Sequence, residues 1–271
     1  MSSVVLILEG DPDLAEDLSE EDRAVARGHL VAGVVGYPRG AWIVGPDDFD
    51  DVANLGLLLV KGLLARQVTI GDHRCAELLG PGDVLQPWLR IGPDQSVAVE
   101  VDWKVVQAVR AAVLDRDFCV RVSRWPEVTA AISRRIMQRA HWLAFHLAVC
   151  NLRRVDDRLL LVLGHFADRW GTVTPDGVLL DLPLTHELLA AVVGARRPSV
   201  SVAVRRLAEQ GRARSRPRSR WLRLGRPPAE LRELHEQARG SPLRPQPETL
   251  PTHETDCLWP NNRAFSPGSG G

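Results

Sequence analysis

The spacing of apolar positions changes character several times along the chain. Between residues 11 and 30 (DPDLAEDLSEEDRAVARGHL) apolar and charged residues mix at helical spacing, and Ser19 followed three residues later by Asp22 has the form of a capping box. This predicts a short amphipathic helical lead within residues 1–39. From 40 to 114 the apolar residues come in short runs, Leu57–Val60, Leu63–Ile70, Cys75–Leu79, Val97–Val101 and Val109–Leu114. Gly71-Asp72, Pro81-Gly82-Asp83 and Gly92-Pro93 punctuate them. Several short strands at that spacing predict an antiparallel β domain over residues 40–125. From Pro126 the period becomes helical, and Ile136, Ala140, Leu143, Leu147 and Cys150 recur at intervals of four and three, the spacing of a coiled-coil seam. Residues 126–153 are therefore expected to form a long helix that pairs with a second copy. The competing reading packs that helix on its own domain, since Trp142, Phe145 and Val149 make other faces apolar too. A second helix is expected from Val155 to about Trp170. Beyond Gly171, the turn Pro175-Asp176-Gly177 between Val173 and Val178 predicts a small hairpin.

Residues 184–211, LTHELLAAVVGARRPSVSVAVRRLAEQG, read as two short helices joined by a tight turn. Thr185 is the expected N-cap of the first, with Glu187 in its first turn where a carboxylate favours the helix dipole, and Leu184 placed to staple against Leu189. Leu188, Leu189, Val192 and Val193 give it a buried face. Gly194 supplies a sharp turn without Cβ cost. The second helix is expected to start near Arg196–Pro198, where proline is tolerated because first-turn amides lack partners. Val200, Val204 and Leu207 give its inward face, and Arg197, Ser201 and Arg205 recur on another, flanked by Ser199 and Val202. Arginine then occupies positions 212, 214, 216, 218 and 220 (Arg212, Arg214, Arg216, Arg218, Arg220), which an extended chain would place on one side, with Trp221, Leu222 and Leu224 anchoring a return strand. Two helices, a turn and a basic hairpin are the parts of a winged helix-turn-helix, expected over residues 154–226. The fold class is thus α+β: an antiparallel β roll, a long helix and a C-terminal winged helix-turn-helix. Residues 227–271 read as a short helix from Pro228 to Arg239 and a proline-rich tail.

Composition sharpens this picture at one point. The formal net charge is zero, yet residues 1–150 carry 15 basic and 21 acidic side chains, and residues 151–271 carry 19 and 13. Between Arg196 and Arg226 there are eleven arginines against one acid, Glu209. Only the rear of the chain is built to meet a polyanion. Arg197 has the planar fork that matches the O6/N7 edge of guanine, while Arg196, Ser199 and Arg205 suit phosphate oxygens. Cys75, Cys119, Cys150 and Cys257 are far apart, with no spacing for zinc or an iron–sulfur cluster, so no metal and no cofactor are expected. His141 and His146 lie five apart, not the four that would share a helix face. The opening MSSVVLILEG is too short an apolar run for a leader or a span, and a cytoplasmic protein is expected.

With these residues in view the chain resembles the Crp/Fnr family of bacterial transcription regulators. The resemblance runs from the Pro81-Gly82-Asp83 turn through Trp103–Asp115 and the helix from Pro126 to LTHELLAAVVGARRPSVSVAVRRLAEQG. It implies a cyclic-nucleotide-binding-like jelly roll, a dimerisation helix and a DNA-binding domain, with double-stranded DNA, a second copy of the chain and RNA polymerase as partners and no membrane. In such proteins the position of Arg197 reads a base and that of Ser199 contacts a phosphate. Two further base-reading positions are Pro198 and Val202 here, where well-known members carry Glu and Arg, so a different operator is expected. A functional nucleotide cassette follows its Gly-Asp turn with Gly-Glu and later supplies Arg-Ser. After Gly82-Asp83 this chain has Val84-Leu85-Gln86-Pro87-Trp88, and near the second position Gln95-Ser96 without the arginine. A cyclic phosphate buried there would lack its guanidinium. Gly82, Asp83, Gln86, Gln95 and Ser96 therefore mark the expected place of an effector that is not cyclic AMP, or of none. The Fnr-type cysteine cluster is missing, and His29, His73 and Cys75 have no context that marks a haem ligand. No GxSxG elbow, P-loop or HExxH suggests an enzyme. The leading reading is a homodimeric regulator on a pseudo-palindrome; the alternative is a sensor module whose roll binds a small molecule or a protein, with DNA binding secondary.

Overall fold

The computed structural model describes residues 4–44, 55–88, 99–175, 177–216 and 220–222. Seven strands form one antiparallel sheet: β1 (Val4–Leu6), β2 (Val31–Tyr37), β3 (Gly40–Trp42), β4 (Gly56–Ile70), β5 (His73–Leu79), β6 (Val84–Leu85) and β7 (Glu100–Leu114). The order is β1-β2-β7-β4-β5, with β3 on β7 and β6 on β4. The roll closes around Trp42, Leu57, Leu59, Leu64, Val105, Val109 and Ala111.

Two of the short apolar runs are one strand. Lys61-Gly62 interrupts the hydrophobic pattern, but β4 continues through it, with register shifts against β7 between Leu59 and Leu64. Gly62 has φ +97°, and a Cβ there would lie 2.7 Å from Val109 Cα and closer still to the Ala108 carbonyl oxygen. The bulge is possible only for glycine. Gly62→Ala is expected to cost about 3–5 kcal/mol, from left-handed strain plus a backbone clash. Thermal unfolding checks this; a variant melting within about 2 °C of the parent would contradict the bulge.

The N-terminal segment differs from a purely helical lead. Helix α1 (Ile7–Gly10) and a 3-10 turn (Pro12–Ala15) precede α2 (Glu20–His29), and β1 and β2 lie on either side. Ser19 caps α2 as expected, its Oγ accepting from Asp22 N at 3.0 Å. Residues 31–37, however, join the sheet through the β-branched Val31, Val34 and Val35, Val31 pairing with β1 and the other two with β7. Helix α3 (Arg116–Val122) is likewise unmarked by the hydrophobic pattern. Its cap, Asp115 accepting from Phe118 N at 2.8 Å, is the one local signal for it.

The long helix is α4 (Pro126–Cys150), followed by α5 (Val155–Trp170) and the hairpin β8 (Thr172–Thr174) and β9 (Gly177–Leu180). Helices α6 (His186–Val192) and α7 (Arg197–Glu209) come next, then β10 (Arg214–Arg216) and β11 (Arg220–Leu222). The second sheet has the order β10-β11-β9-β8. One apolar cluster joins Leu63, Ala65, Ala76 and Leu78 of the roll to Trp142 and Val149 of α4 and to Leu163, Phe166, Leu189, Val200 and Leu207. The expected helix at 228–239 and the tail to 271 lie outside the described residues.

Candidate nucleic-acid interface

Local chemistry fixes both helices of the motif. Thr185 Oγ1 accepts from Leu188 N at 3.1 Å, capping α6, while Leu188, Leu189, Ala190 and Val192 are buried. Gly194 takes φ +60°, the left-handed turn between the helices. Arg196 is the N-cap residue of α7, and Pro198 sits in its first turn. Val200, Ala203, Val204 and Leu207 face inward. Arg196, Arg197, Pro198, Ser199, Val202, Arg205 and Arg206 are exposed. Seven exposed positions with four guanidiniums thus share the outer surface of one helix.

Ser201 stands apart from them. It is half-buried, its Oγ donates to the Arg197 carbonyl at 3.1 Å, and His186 Nδ1 lies 3.0 Å from that Oγ. With the hydroxyl proton spent within the helix, the imidazole N–H is the donor to it. Ser201 therefore ties α7 to α6 and offers no free donor outward. His186 carries no mark in the sequence, where a polar residue after a cap reads as solvated surface; only its distance to residue 201 gives it a role.

The basic hairpin is real but shorter than five alternating arginines imply. Arg212 is half-buried in a bend before the strand, and Arg214 is exposed in β10. Arg216 pairs with Arg220 across the hairpin, and Ser215 with Trp221. Arg218 lies outside the described residues. The two described strands pair antiparallel, so positions 216 and 220 are related by cross-strand register and not by alternation along one strand. Trp221 anchors this wing: it is buried, and its Nε1 donates to the Leu184 carbonyl at 3.2 Å. An open cleft of about 810 Å³ lies between the start of α6, Arg197 and Ser215 of the wing.

The residues expected at the effector position are used otherwise. Asp83 is buried, accepting from Gly80 N at 2.8 Å and from Arg169 Nη2 of α5 at 2.9 Å. Burial raises its carboxyl above the ordinary range, and the Arg169 guanidinium opposes that shift. Gly82 takes φ +85°, and a Cβ there would meet Arg135 Nη1 at 3.0 Å. Trp170 Nε1 donates to the Pro81 carbonyl at 3.4 Å, and a Cβ on Gly80 would lie 2.7 Å from its indole. The turn thus clamps to α4 and α5 instead of presenting a free carboxylate. Gln86 is exposed, its Nε2 donating to the Leu55 carbonyl at 3.5 Å. Gln95 and Ser96 lie outside the described residues. Beside this turn His165 stacks on Trp142, and burial, then Arg169 and His146, hold its imidazole down to about 4, neutral at physiological pH.

On α4 one side is spoken for. Trp142, His146 and Val149 are buried, with His146 Nε2 donating to the Val192 carbonyl at 2.6 Å. Cys150, the last position of the expected seam, borders this side, its Sγ 3.7 Å from the same carbonyl, as an α-helix drifts out of a seven-residue repeat. The rest of the seam is open. Ile136 is 45% exposed and Leu147 69%, with Ala140 exposed and Leu143 half-buried between them. Met137 and Phe145 are also exposed.

Comparison with known proteins agrees with this architecture. Residues 157–233 match the Crp-like helix-turn-helix domain. In this region the chain is similar to Crp-like regulators. The CRP-like cAMP-activated global transcriptional regulator of Mycobacterium tuberculosis is 27% identical over 197 residues, covering 70% of this chain and 80% of the relative. A CooA variant from Carboxydothermus hydrogenoformans superposes with a TM-score of 0.55 at 19% identity, over 76% of this chain and 87% of that one. FixK2 from Bradyrhizobium japonicum gives 0.55 at 17% identity, over 76% and 96%. The two structures establish the shared fold, a roll followed by a winged helix-turn-helix. Among the described residues no helix is long and apolar enough to cross a membrane.

Proposed function

We propose that this chain is a DNA-binding transcription regulator of the Crp/Fnr type that works as a homodimer on a pseudo-palindromic operator, laying α7 in the major groove of each half-site. The carrying observation is the outer surface of α7, where Arg196, Arg197, Ser199 and Arg205 stand exposed around an anchored wing. Arg197, at the helix start, is assigned to a guanine edge; Arg196, Ser199, Arg205 and the wing arginines are assigned to phosphates, with Thr185 at the rim of the same cleft. The open apolar stripe Ile136, Ala140, Leu143 and Leu147 is assigned to the partner copy, because a stripe of that length on one helix remains wet in a monomer. In this division of labour residues 40–125 sense, 126–153 dimerise and 154–226 read DNA. Such a protein carries no catalytic role, works in the cytoplasm and would meet RNA polymerase on the promoter.

The effector in this reading is not cyclic AMP, or there is none. The mycobacterial relative is described as cAMP-activated. In this chain Val84-Leu85-Gln86 follows the turn, and Asp83 is already bound to Arg169. A sensor module with secondary DNA binding is the alternative, and it draws on the same roll. Gel retardation with genomic fragments separates the two. With about 5–8 phosphates neutralised, log affinity should fall against log salt with a slope of about −5 to −7. No retardation at low salt favours the sensor.

A further inference from the structure

The outer surface of α7 carries an apolar pair that phosphate binding does not use. Pro198 and Val202 lie four residues apart, one above the other on the helix, and both are exposed, Val202 at 40%. Exposed Arg197 precedes them and exposed Arg205 and Arg206 follow. Packing does not explain Val202, because the inward face of α7 is complete with Val200, Ala203, Val204 and Leu207. Its neighbour Ser201 is committed to Arg197 O and His186 and cannot supply a donor in its place.

The flanking guanidiniums name the occupant of this surface as a polyanion, and the major groove limits what an isopropyl group can meet there. Base edges present acceptors, donors and one apolar group, the 5-methyl of thymine. Pressed against a donor or acceptor, Val202 would strip its water and return nothing. Pressed against the thymine methyl, it removes apolar surface from water on both sides. Pro198, with no backbone N–H and no polar side chain, extends the apolar strip toward the helix start.

We infer that Val202 is a specificity-determining residue that reads a thymine 5-methyl in each half-site of the operator. The inference rests on the DNA-binding reading above and adds to it which base, and which atom, the middle of α7 selects. Arg197 and Val202 then read different chemistry, the guanidinium a purine edge and the isopropyl group a pyrimidine methyl.

Deoxyuridine tests this directly, since it pairs as thymine does and lacks only the methyl. An operator enriched from a random duplex pool with the full chain is resynthesised with each thymine in turn replaced, and binding is measured for the parent and for Val202→Ala. One thymine position per half-site should weaken the parent about four-fold, and about fifteen-fold when both half-sites are changed. Val202→Ala should bind methylated and unmethylated operators alike. The position is exposed on a helix, so this variant should melt with the parent. Methyl loss without effect at every position overturns the assignment, and so does a Val202→Ala protein that keeps the sensitivity; both leave DNA binding standing. A pool that yields no preferred sequence overturns DNA reading and this inference together.

Discussion

Arg197→Ala is expected to abolish discrimination between the operator and unrelated duplex while leaving salt-dependent, sequence-independent binding in place. Arg197 is exposed at the first turn of α7, beside the cleft shared with Thr185 and Ser215, and nothing in the fold requires it for packing. A bidentate arginine–guanine contact contributes about 1–3 kcal/mol, hence roughly 5- to 150-fold in affinity per half-site, and two half-sites compound it. The wing arginines remain and continue to hold phosphates, so the salt slope should fall only by about one per lost phosphate contact, if at all. Competition binding, operator against random duplex at fixed salt, gives the result. A variant that keeps the parent's preference removes Arg197 from base reading and returns it to the phosphate set with Arg196.

Leu147→Asp is expected to produce the second large effect by a different route. Leu147 is 69% exposed within one chain, so the substitution leaves the monomer's own packing intact. In a dimer the same position lies in the seam with Ile136, Ala140 and Leu143, and a carboxylate there is buried against its own copy. Sedimentation should report a particle of 29.9 kDa instead of twice that mass. Operator affinity should drop about 10²- to 10⁴-fold, because the two half-sites no longer bind as one linked event. Leu147→Met should change neither quantity much. A Leu147→Asp protein that stays dimeric moves the interface away from α4.

Short-range chemistry was legible in the sequence and long-range pairing was not. Thr185, Gly194 and Pro198 set the boundaries of α6 and α7 through a cap, a left-handed turn and a first-turn proline, each readable within four residues. Trp221 as the wing's anchor was readable too, as an apolar residue in a basic run. By contrast β4 looked like two strands, because a bulge at Gly62 is defined by its partner β7 and leaves only a lysine and a glycine in the local pattern. Asp83 read as part of an effector turn, since its acceptor role toward Arg169 joins positions 86 residues apart. Cys150 fitted the heptad spacing, yet its thiol meets the Val192 carbonyl, 42 residues away on another helix. His186 and Ser201 share that lesson: two ordinary polar residues become a brace only when α6 and α7 meet.

The turn at Gly80–Asp83 has a mechanical meaning. Gly80 leaves no space for even a methyl group between the roll's rim and the Trp170 indole, and Asp83 grips the guanidinium one residue earlier on the same helix. The joint therefore holds the rim in close contact with two consecutive residues of α5. Since α5 also packs against α7, a single helix touches both the rim of the β roll and the second helix of the basic motif.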